Sequence, residues 1–418
     1  MTTFRFIHCS DLHIDSPFKG FSAINPEWAE RLRQAPLQSF LNIVELAVQE
    51  QVDAVIIAGD VFDGEDKSLQ AQFKFRRGLQ TLSDHKIPTF IAHGNHDPLN
   101  TWSTTLKWPE GVTVFPGSRV SSVPLQKEGS TLAHIYGVSF HQRDVFDNLA
   151  LQFERQQDAG FAVAVLHANV GGHPDHDPYA PCAVEDLVAQ GMDYWALGHI
   201  HLREVVRESR PAIVYCGNSQ GRHFKETGPK GCCLVTLSER AAPDIQFITT
   251  DTIRFVEATL DLSACASMDS VVTEIVGQCQ MLVEQAENRS LVVRQTLIGR
   301  TEVHSLLHKG GALDSVRDEV LQSFLDRRAG LWLEFKLQTR GAYDIDALRQ
   351  GQDFIADLIG LYDHQADSAA LSQCREALKP LFQSWEGGYL LSEFSDEELQ
   401  EVLLQARDLT LDELVNQD

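Results

Sequence analysis

Eight short apolar runs punctuate the first 216 residues: Phe4 to His8, Ala54 to Ala58, Pro88 to His93, Val112 to Phe115, Leu132 to Val138, Ala162 to His167, Tyr194 to Gly198 and Ile213 to Cys216. Each has the length of a strand and is bounded by turn residues, the pattern of strands buried on both faces. So many buried strands require a large central sheet. Between the first two runs, Glu30 to Gln49 places Leu32, Leu37, Phe40, Leu41, Ile43, Val44 and Ala47 near helical spacing and reads as a crossover helix. A strand-helix-strand opening predicts α/β or layered α+β architecture.

At 418 residues the chain should hold two or three units. From about Thr252 the texture changes to strand (Phe255 to Leu262), helix (Asp269 to Asn288), strand (Leu291 to Ile298), helix (Leu313 to Leu325) and strand (Leu331 to Leu337), a small separate α/β unit. Beyond Tyr343 the pattern is helical. Two capping boxes, Ser395 with Glu398 and Thr410 with Glu413, predict short acidic amphipathic helices that pack on their own domain or dock a partner. The expected division is 1–250, 251–340 and 341–418.

Hydrophobic residues make up 43% and charged residues 22%, which fits a water-soluble globular protein and excludes wholesale disorder. No run of 18 apolar residues occurs, so no membrane anchor is expected. The amino terminus enters its first strand without the basic and apolar regions of an export signal, and the eight cysteines form no C-x-x-C pair. Both features predict reduced thiols in a cytoplasm.

The net charge is -24, with 30 acidic against 14 basic residues in 251–418 alone. This is no basic nucleic-acid coat, so a polyanionic substrate would have to be met by a metal, a local basic patch or a partner.

Thirteen of the sixteen histidines precede residue 224, which places the chemistry in the first half. Five clusters put Asp, Asn or His at or just past the end of an apolar run: Asp11 and His13, Gly59-Asp60, Gly94-Asn95-His96-Asp97, His167, and His199 with His201. Ligands of open α/β sheets bind outside the carboxyl ends of strands, so the repeated placement predicts one shared site. A single D-x-H or H-x-H is more often a hydrogen-bonded turn, but five in one order are not. Carboxylates, an amide oxygen and imidazoles without thiolates suit first-row divalent ions such as manganese, iron or zinc, and they suffice for two. Asp60, on a Gly-Asp turn after a buried strand, is the best bridge between them.

On these motifs the chain resembles the calcineurin-like metallophosphoesterases, whose pattern is D-x-H, G-D, G-N-H-D/E, a lone H and G-H-x-H. The opening run from Phe6 to His13, with Ala58 to Asp63, looks most like the SbcD and YhaO type of DNA repair exonuclease. The resemblance implies a four-layer α/β/β/α sandwich carrying a small α/β capping domain and a helical C-terminal region. It implies two divalent ions, manganese first among them, one held by Asp11, His13, Asp60 and His201, the other by Asp60, Asn95, His167 and His199. His96 would stay unligated as the catalytic imidazole, with Asp97 to orient it or simply to cap the turn. Where some members of the family place a second catalytic histidine, this chain has Asp63.

The implied function is a metal-dependent DNA phosphodiesterase of exonuclease type. The resemblance implies DNA and an SMC-like ATPase as partners, and because the chain has no P-loop of its own any ATP dependence would come from that separate subunit. A small-molecule phosphatase or cyclic-nucleotide phosphodiesterase is the competing reading, and a homodimer stays open. Of the remaining polar residues, His173, Asp175, His176 and Asp177 sit in a Gly- and Pro-rich stretch that reads as a mobile loop able to meet substrate. Glu65 and Asp66 read as a solvated loop. Asn218, Gln220, Arg222, His223 and Lys225 form a polar turn that faces either phosphate or solvent. His8 and His93 read as satisfied core histidines.

Overall fold

The first strand, β1 (Thr3–Cys9), shows why two cores must flank it: Phe4 and Phe6 point to one side, Ile7 and Cys9 to the other, and all four are fully buried. The fold is known from a computed structural model, which describes residues 2–16, 18, 25–64, 68–100, 107–157, 160–173, 176–325, 330–366, 368–383 and 394–415. These fall into two compact units, 1–256 with 286–292, and 257–285 with 293–418.

In the first unit β1 is followed by α1 (Pro26–Gln49), β2 (Ala54–Ala58), α2 (Leu69–Asp84), β3 (Thr89–Ala92), β4 (Val112–Val114), β5 (Ser121–Lys127), β6 (Ser130–Gly137) and β7 (Phe161–His167). Then come α3 (Val184–Ala189), β8 (Tyr194–Gly198), β9 (Glu204–Arg207), β10 (Ala212–Tyr215), β11 (Gly231–Ser238) and β12 (Asp244–Thr249). Two six-stranded sheets result, ordered β12-β11-β1-β2-β3-β4 and β5-β6-β7-β8-β10-β9. The strands β1, β2, β3 and β4 run parallel, as do β6, β7, β8 and β10, so their carboxyl ends collect at one edge of each sheet.

Alternation sorts the apolar side chains into three layers of packing. Phe4, Phe6, Ile56, Val163, Val165 and Ala196 fill the space between the sheets. Ile7, Val55 and Ile57 meet Phe40, Ile43, Phe75 and Leu79 of α1 and α2, while Leu166, Trp195 and Leu197 meet Leu187 of α3. Each large side chain buried this way stabilises the fold by about 1.5–3 kcal/mol. The unit is the expected four-layer α/β/β/α sandwich. Asn25 caps α1 by accepting from the Glu27 and Trp28 amides, which starts that helix four residues before the expected Glu30.

The second unit is built on a sheet ordered β13-β14-β15, with β13 (Ile253–Asp261), β14 (Ser290–Thr301) and β15 (Leu331–Gly341). Its helices are α4 (Met268–Gln285), α5 (His304–Leu307), α6 (Ala312–Gln322), α7 (Ile345–Arg349), α8 (Phe354–Ala366), α9 (Ser368–Gln383) and α10 (Asp396–Val415). The Ser395 capping box forms as expected, each partner bonding the other's amide. The second box does not. Thr410 lies inside the 20-residue α10, where its hydroxyl donates to the Ala406 carbonyl at 2.8 Å, so one helix runs where two short ones were expected. Among the described residues no helix is long and apolar enough to cross a membrane.

Candidate metal centre

The turns after β1 and β2 are laced together by backbone bonds, Asp11 N to Gly59 O at 3.0 Å and His13 N to Asp60 O at 3.0 Å. This lacing holds Asp11, His13 and Asp60 at φ of 49°, 44° and 49°, and His199 stands at 97°. Such left-handed backbone costs a non-glycine residue about 1–3 kcal/mol, and it marks sites where direction matters more than local stability. Gly94 is required for space: a Cβ there would lie 2.3 Å from Asp60 Oδ1 and 2.8 Å from His167 Nε2.

All seven expected ligands surround one pocket of about 490 Å³ or lie directly beneath it, together with His96, His176, Asp177 and Pro178. Beside a group of His13 with Asp63 and His96, the donor atoms of five of them form two overlapping groups, Asp11, His13 and His201 in one, Asp11, Asp60 and His167 in the other. Asp60 faces both, with Oδ2 at 3.5 Å from His167 Nε2 and 3.8 Å from His13 Nε2.

The tautomers test whether a cation belongs here. His167 Nδ1 is 3.1 Å from the Ala58 carbonyl, which can only accept, so Nδ1 carries the proton and Nε2 its lone pair. That Nε2 faces Asn95 Oδ1 at 3.0 Å, another acceptor. His201 donates Nδ1–H to Glu226 Oε1 at 2.7 Å, which aims its Nε2 lone pair at His13 Nε2, 3.1 Å away. His199 donates Nε2–H to the Asp177 carbonyl at 2.8 Å, leaving Nδ1 as its donor atom. One ring nitrogen pinned to a protein acceptor and the other lone pair converging with carboxylates is how imidazole is set up to ligate a metal. The residues fit a divalent cation.

Electrostatics agree with that assignment. Burial lowers the pKa of His13 and of His199 to about 4, so both rings are neutral at pH 7 and their lone pairs are available. Burial would raise Asp11, but His201, His167 and His13 hold it down at about 2, and Ser10 donates to it at 2.5 Å. The His199 amide also donates to Asp11, at 3.1 Å.

Beside the ligands, His96 Nδ1 contacts Asp63 Oδ1 at 2.9 Å. Burial opposes charge on this ring, but Asp63 and Asp60 outweigh it and raise its pKa above the ordinary histidine value. Asp63 is itself held by Ser16 at 2.8 Å and by Arg222 Nη1 at 3.1 Å. Burial favours the neutral acid there too, yet His13, His96 and Arg222 keep it far below the usual carboxylate range.

Of the two roles expected for Asp97, orienting His96 or capping the turn, the hydrogen bonds favour the second. Its buried carboxylate accepts from the Gly94 and Val61 amides and from His93 Nδ1, so it caps the turn and engages the core histidine instead. His8 is likewise satisfied, between Tyr194 Oη at 3.0 Å and the Leu197 carbonyl at 3.2 Å. In the 218–225 turn, Asn218 and Gln220 are buried and bonded to Glu226 and the Ile253 carbonyl, while Arg222 turns toward Asp63. Glu65, Asp66 and Asp175 lie outside the described residues. Asp63 and Glu226 as imidazole partners are what sequence reasoning misses; the only local signal is an acid placed where the family has a histidine.

The fold and this donor set define a metal-dependent phosphoester hydrolase. The profile of the calcineurin-like phosphoesterases matches residues 4–203, and that of the middle domain of metallophosphoesterase YhaO matches residues 255–340. The chain belongs to the calcineurin-like metallophosphoesterase family and is of the SbcD/YhaO type. It is 32% identical to the uncharacterized metallophosphoesterase YhaO of Bacillus subtilis (strain 168), over 97% of each chain. It is 26% identical to the D component of the nuclease SbcCD of the same organism, over 54% of this chain and 63% of that one. To the DNA double-strand break repair protein Mre11 of Sulfurisphaera tokodaii it is 24% identical, over 62% and 66%.

Proposed function

We propose that this phosphoesterase is a dinuclear-metal-dependent DNA phosphodiesterase of exonuclease type, working in the cytoplasm with an SMC-like ATPase. The observation that carries the reading is the gathering of seven oxygen and nitrogen ligand candidates at one pocket, with the His96 imidazole at its wall. The DNA substrate is supported by relatives that are named a nuclease component and a double-strand break repair protein. The absence of a P-loop from the sequence supports a separate ATPase partner.

Asp11, His13, Asp60 and His201 would hold one ion and Asp60, Asn95, His167 and His199 the other, with manganese the ion we propose for this nitrogen and oxygen set. When bound, such a pair polarises phosphoryl oxygens and makes water acidic enough to attack. His96 delivers a proton to the departing sugar oxygen, and Asp63 fixes its ring for that transfer. Arg222 stabilises Asp63 as a carboxylate and adds positive charge beside a pocket in an otherwise acidic chain. We assign 1–250 to the phosphoesterase domain, 251–340 to the capping domain and 341–418 to the helical region that meets the partner.

The test is hydrolysis by the purified chain with manganese, on linear duplex DNA, single-stranded DNA and bis-p-nitrophenyl phosphate, beside Asp60→Ala and His96→Ala. Cleavage of DNA that both variants lose is the expected result. Cleavage of the small diester alone, with DNA still intact after addition of an SMC-like ATPase, would transfer the assignment to a small-molecule phosphodiesterase.

A further inference from the structure

The pocket contains two histidines outside the ligand set, and only His96 has a role above. The second, His176, comes from the stretch the sequence reads as a mobile loop. Its ring centroid lies 5.5 Å from that of His199 and 6.0 Å from that of His201, and it lines the pocket. His176 is half-buried, and part of its surface faces the pocket.

One buried side chain holds the backbone of 173, 176 and 177. Asn169, two residues past His167, accepts from the His173 amide at 2.8 Å and donates toward the carbonyls of His173, His176 and Asp177 at 3.3, 3.4 and 3.2 Å. Only 2% of Asn169 is exposed. The same segment supplies the Asp177 carbonyl that fixes His199. Asn169 grips backbone atoms alone, so the position from which the His176 ring is presented is set by a frame that does not depend on the ring.

We infer that His176 is a substrate-contacting residue that donates a hydrogen bond to a non-bridging oxygen of the phosphodiester, and that Asn169 is the positioning residue that aims it. The inference rests on the proposed reading that a phosphodiester enters this pocket. The ligand is a phosphoryl group rather than another ion, because His176 belongs to no convergent donor group. A contact to a non-bridging oxygen is made by substrate and transition state alike, so its loss raises KM and leaves kcat in place.

The experiment uses the full chain with manganese. His176→Ala should raise KM for bis-p-nitrophenyl phosphate and the inhibition constant of inorganic phosphate each about tenfold, with kcat within about twofold. His176→Gln, which keeps an N–H donor, should recover most of both. Asn169→Ala should reproduce the KM rise, and the double variant should add little to it. The His176 variants decide the matter even if Asn169→Ala does not fold.

Unchanged KM and phosphate inhibition in His176→Ala would overturn the inference while an active wild type preserved the proposed function. A fall in kcat at constant KM, or fewer bound manganese ions per chain, would also overturn it, as evidence of a proton-transfer or ligand role. Full activity in Asp60→Ala would remove the underlying reading and this inference with it.

Discussion

The two units handle cost in opposite ways. In the first, four site residues sit in left-handed backbone and several acceptors face one another, an arrangement unfavourable by several kcal/mol, yet it lies on strands packed on both faces. All twelve of the largest fully buried side chains among the described residues belong to this unit. In the second, α10 buries only Leu399, Arg407 and Leu411, α8 only Ile359 and α7 nothing. Ion pairs and polar bonds supplement that thin core: Arg300 with Asp408, Arg407 with Asp363, and Asp412 accepting from the Gly341 amide and the Tyr343 hydroxyl. A rigid core can hold strained chemistry in place, whereas thinly packed acidic helices such as α7, α8 and α10 suit adaptable contact.

The largest expected effect lies at the strained end of that contrast. Asp60→Asn keeps a residue type that tolerates left-handed backbone, so the fold should survive while a bridging carboxylate is lost. Hydrolysis should fall on the order of 10³-fold or more, with fewer bound manganese ions per chain, measured by steady-state kinetics and elemental analysis. Retained metal and activity would show that the strain serves only structure. Asp63→Ala comes next, with about a 10²-fold lower kcat on DNA, whose alkoxide leaving group needs a proton. Bis-p-nitrophenyl phosphate, whose leaving group departs unaided, should be nearly spared; an equal loss on both would place Asp63 outside proton delivery.

Leu411→Ala probes the other unit. Leu411 is fully buried on α10, and its truncation should cost about 2–4 kcal/mol. Calorimetry should show a lowered transition for the second unit, with hydrolysis of the small diester within about twofold of wild type. A parallel loss of activity would erase the division of labour drawn above.

How far this was legible in the sequence follows from which contacts are local. The gathering of the seven expected ligands is legible because strand ends converge at one edge of a sheet, so position along each strand stands in for position in space. The partners that orient them are not. Asp97 misleads because it adjoins His96 in sequence while its carboxylate turns back to Gly94 and His93, whereas Asp63 reaches the ring from 33 positions away. Glu226 meets His201, and Asn169 meets its loop, through tertiary geometry that no periodicity encodes. The strand β11 also escapes the reading: it returns after a Gly-rich turn to pair antiparallel with β1, a long-range match without a local signature. In α10 the Thr410 capping signal is real locally but is overridden by a helix already propagating from Ser395.

The smallest effect separates the rigid core from its site. His8 lies fully buried in β1, and burial lowers its pKa to about 3, against which its bond to the Leu197 carbonyl is a minor aid. That carbonyl can only accept, so the neutral ring donates Nε2–H to it and takes the Tyr194 hydroxyl on Nδ1. Between pH 6.5 and 3 the unfolded chain binds a proton here that the folded chain refuses, so stability falls as pH falls, by up to about 1.4 kcal/mol per pH unit. His13 and His199 add to the same slope, since both sit at about 4, and manganese held by them should extend their share to lower pH by keeping protons off the ligating nitrogens. Denaturant titrations of the metal-free chain from pH 6 to 4 should therefore show the three shares together, and His8→Gln should make the slope shallower. A slope that His8→Gln leaves unchanged would mean that the site, and not the core strand beneath it, sets the acid sensitivity of the first unit.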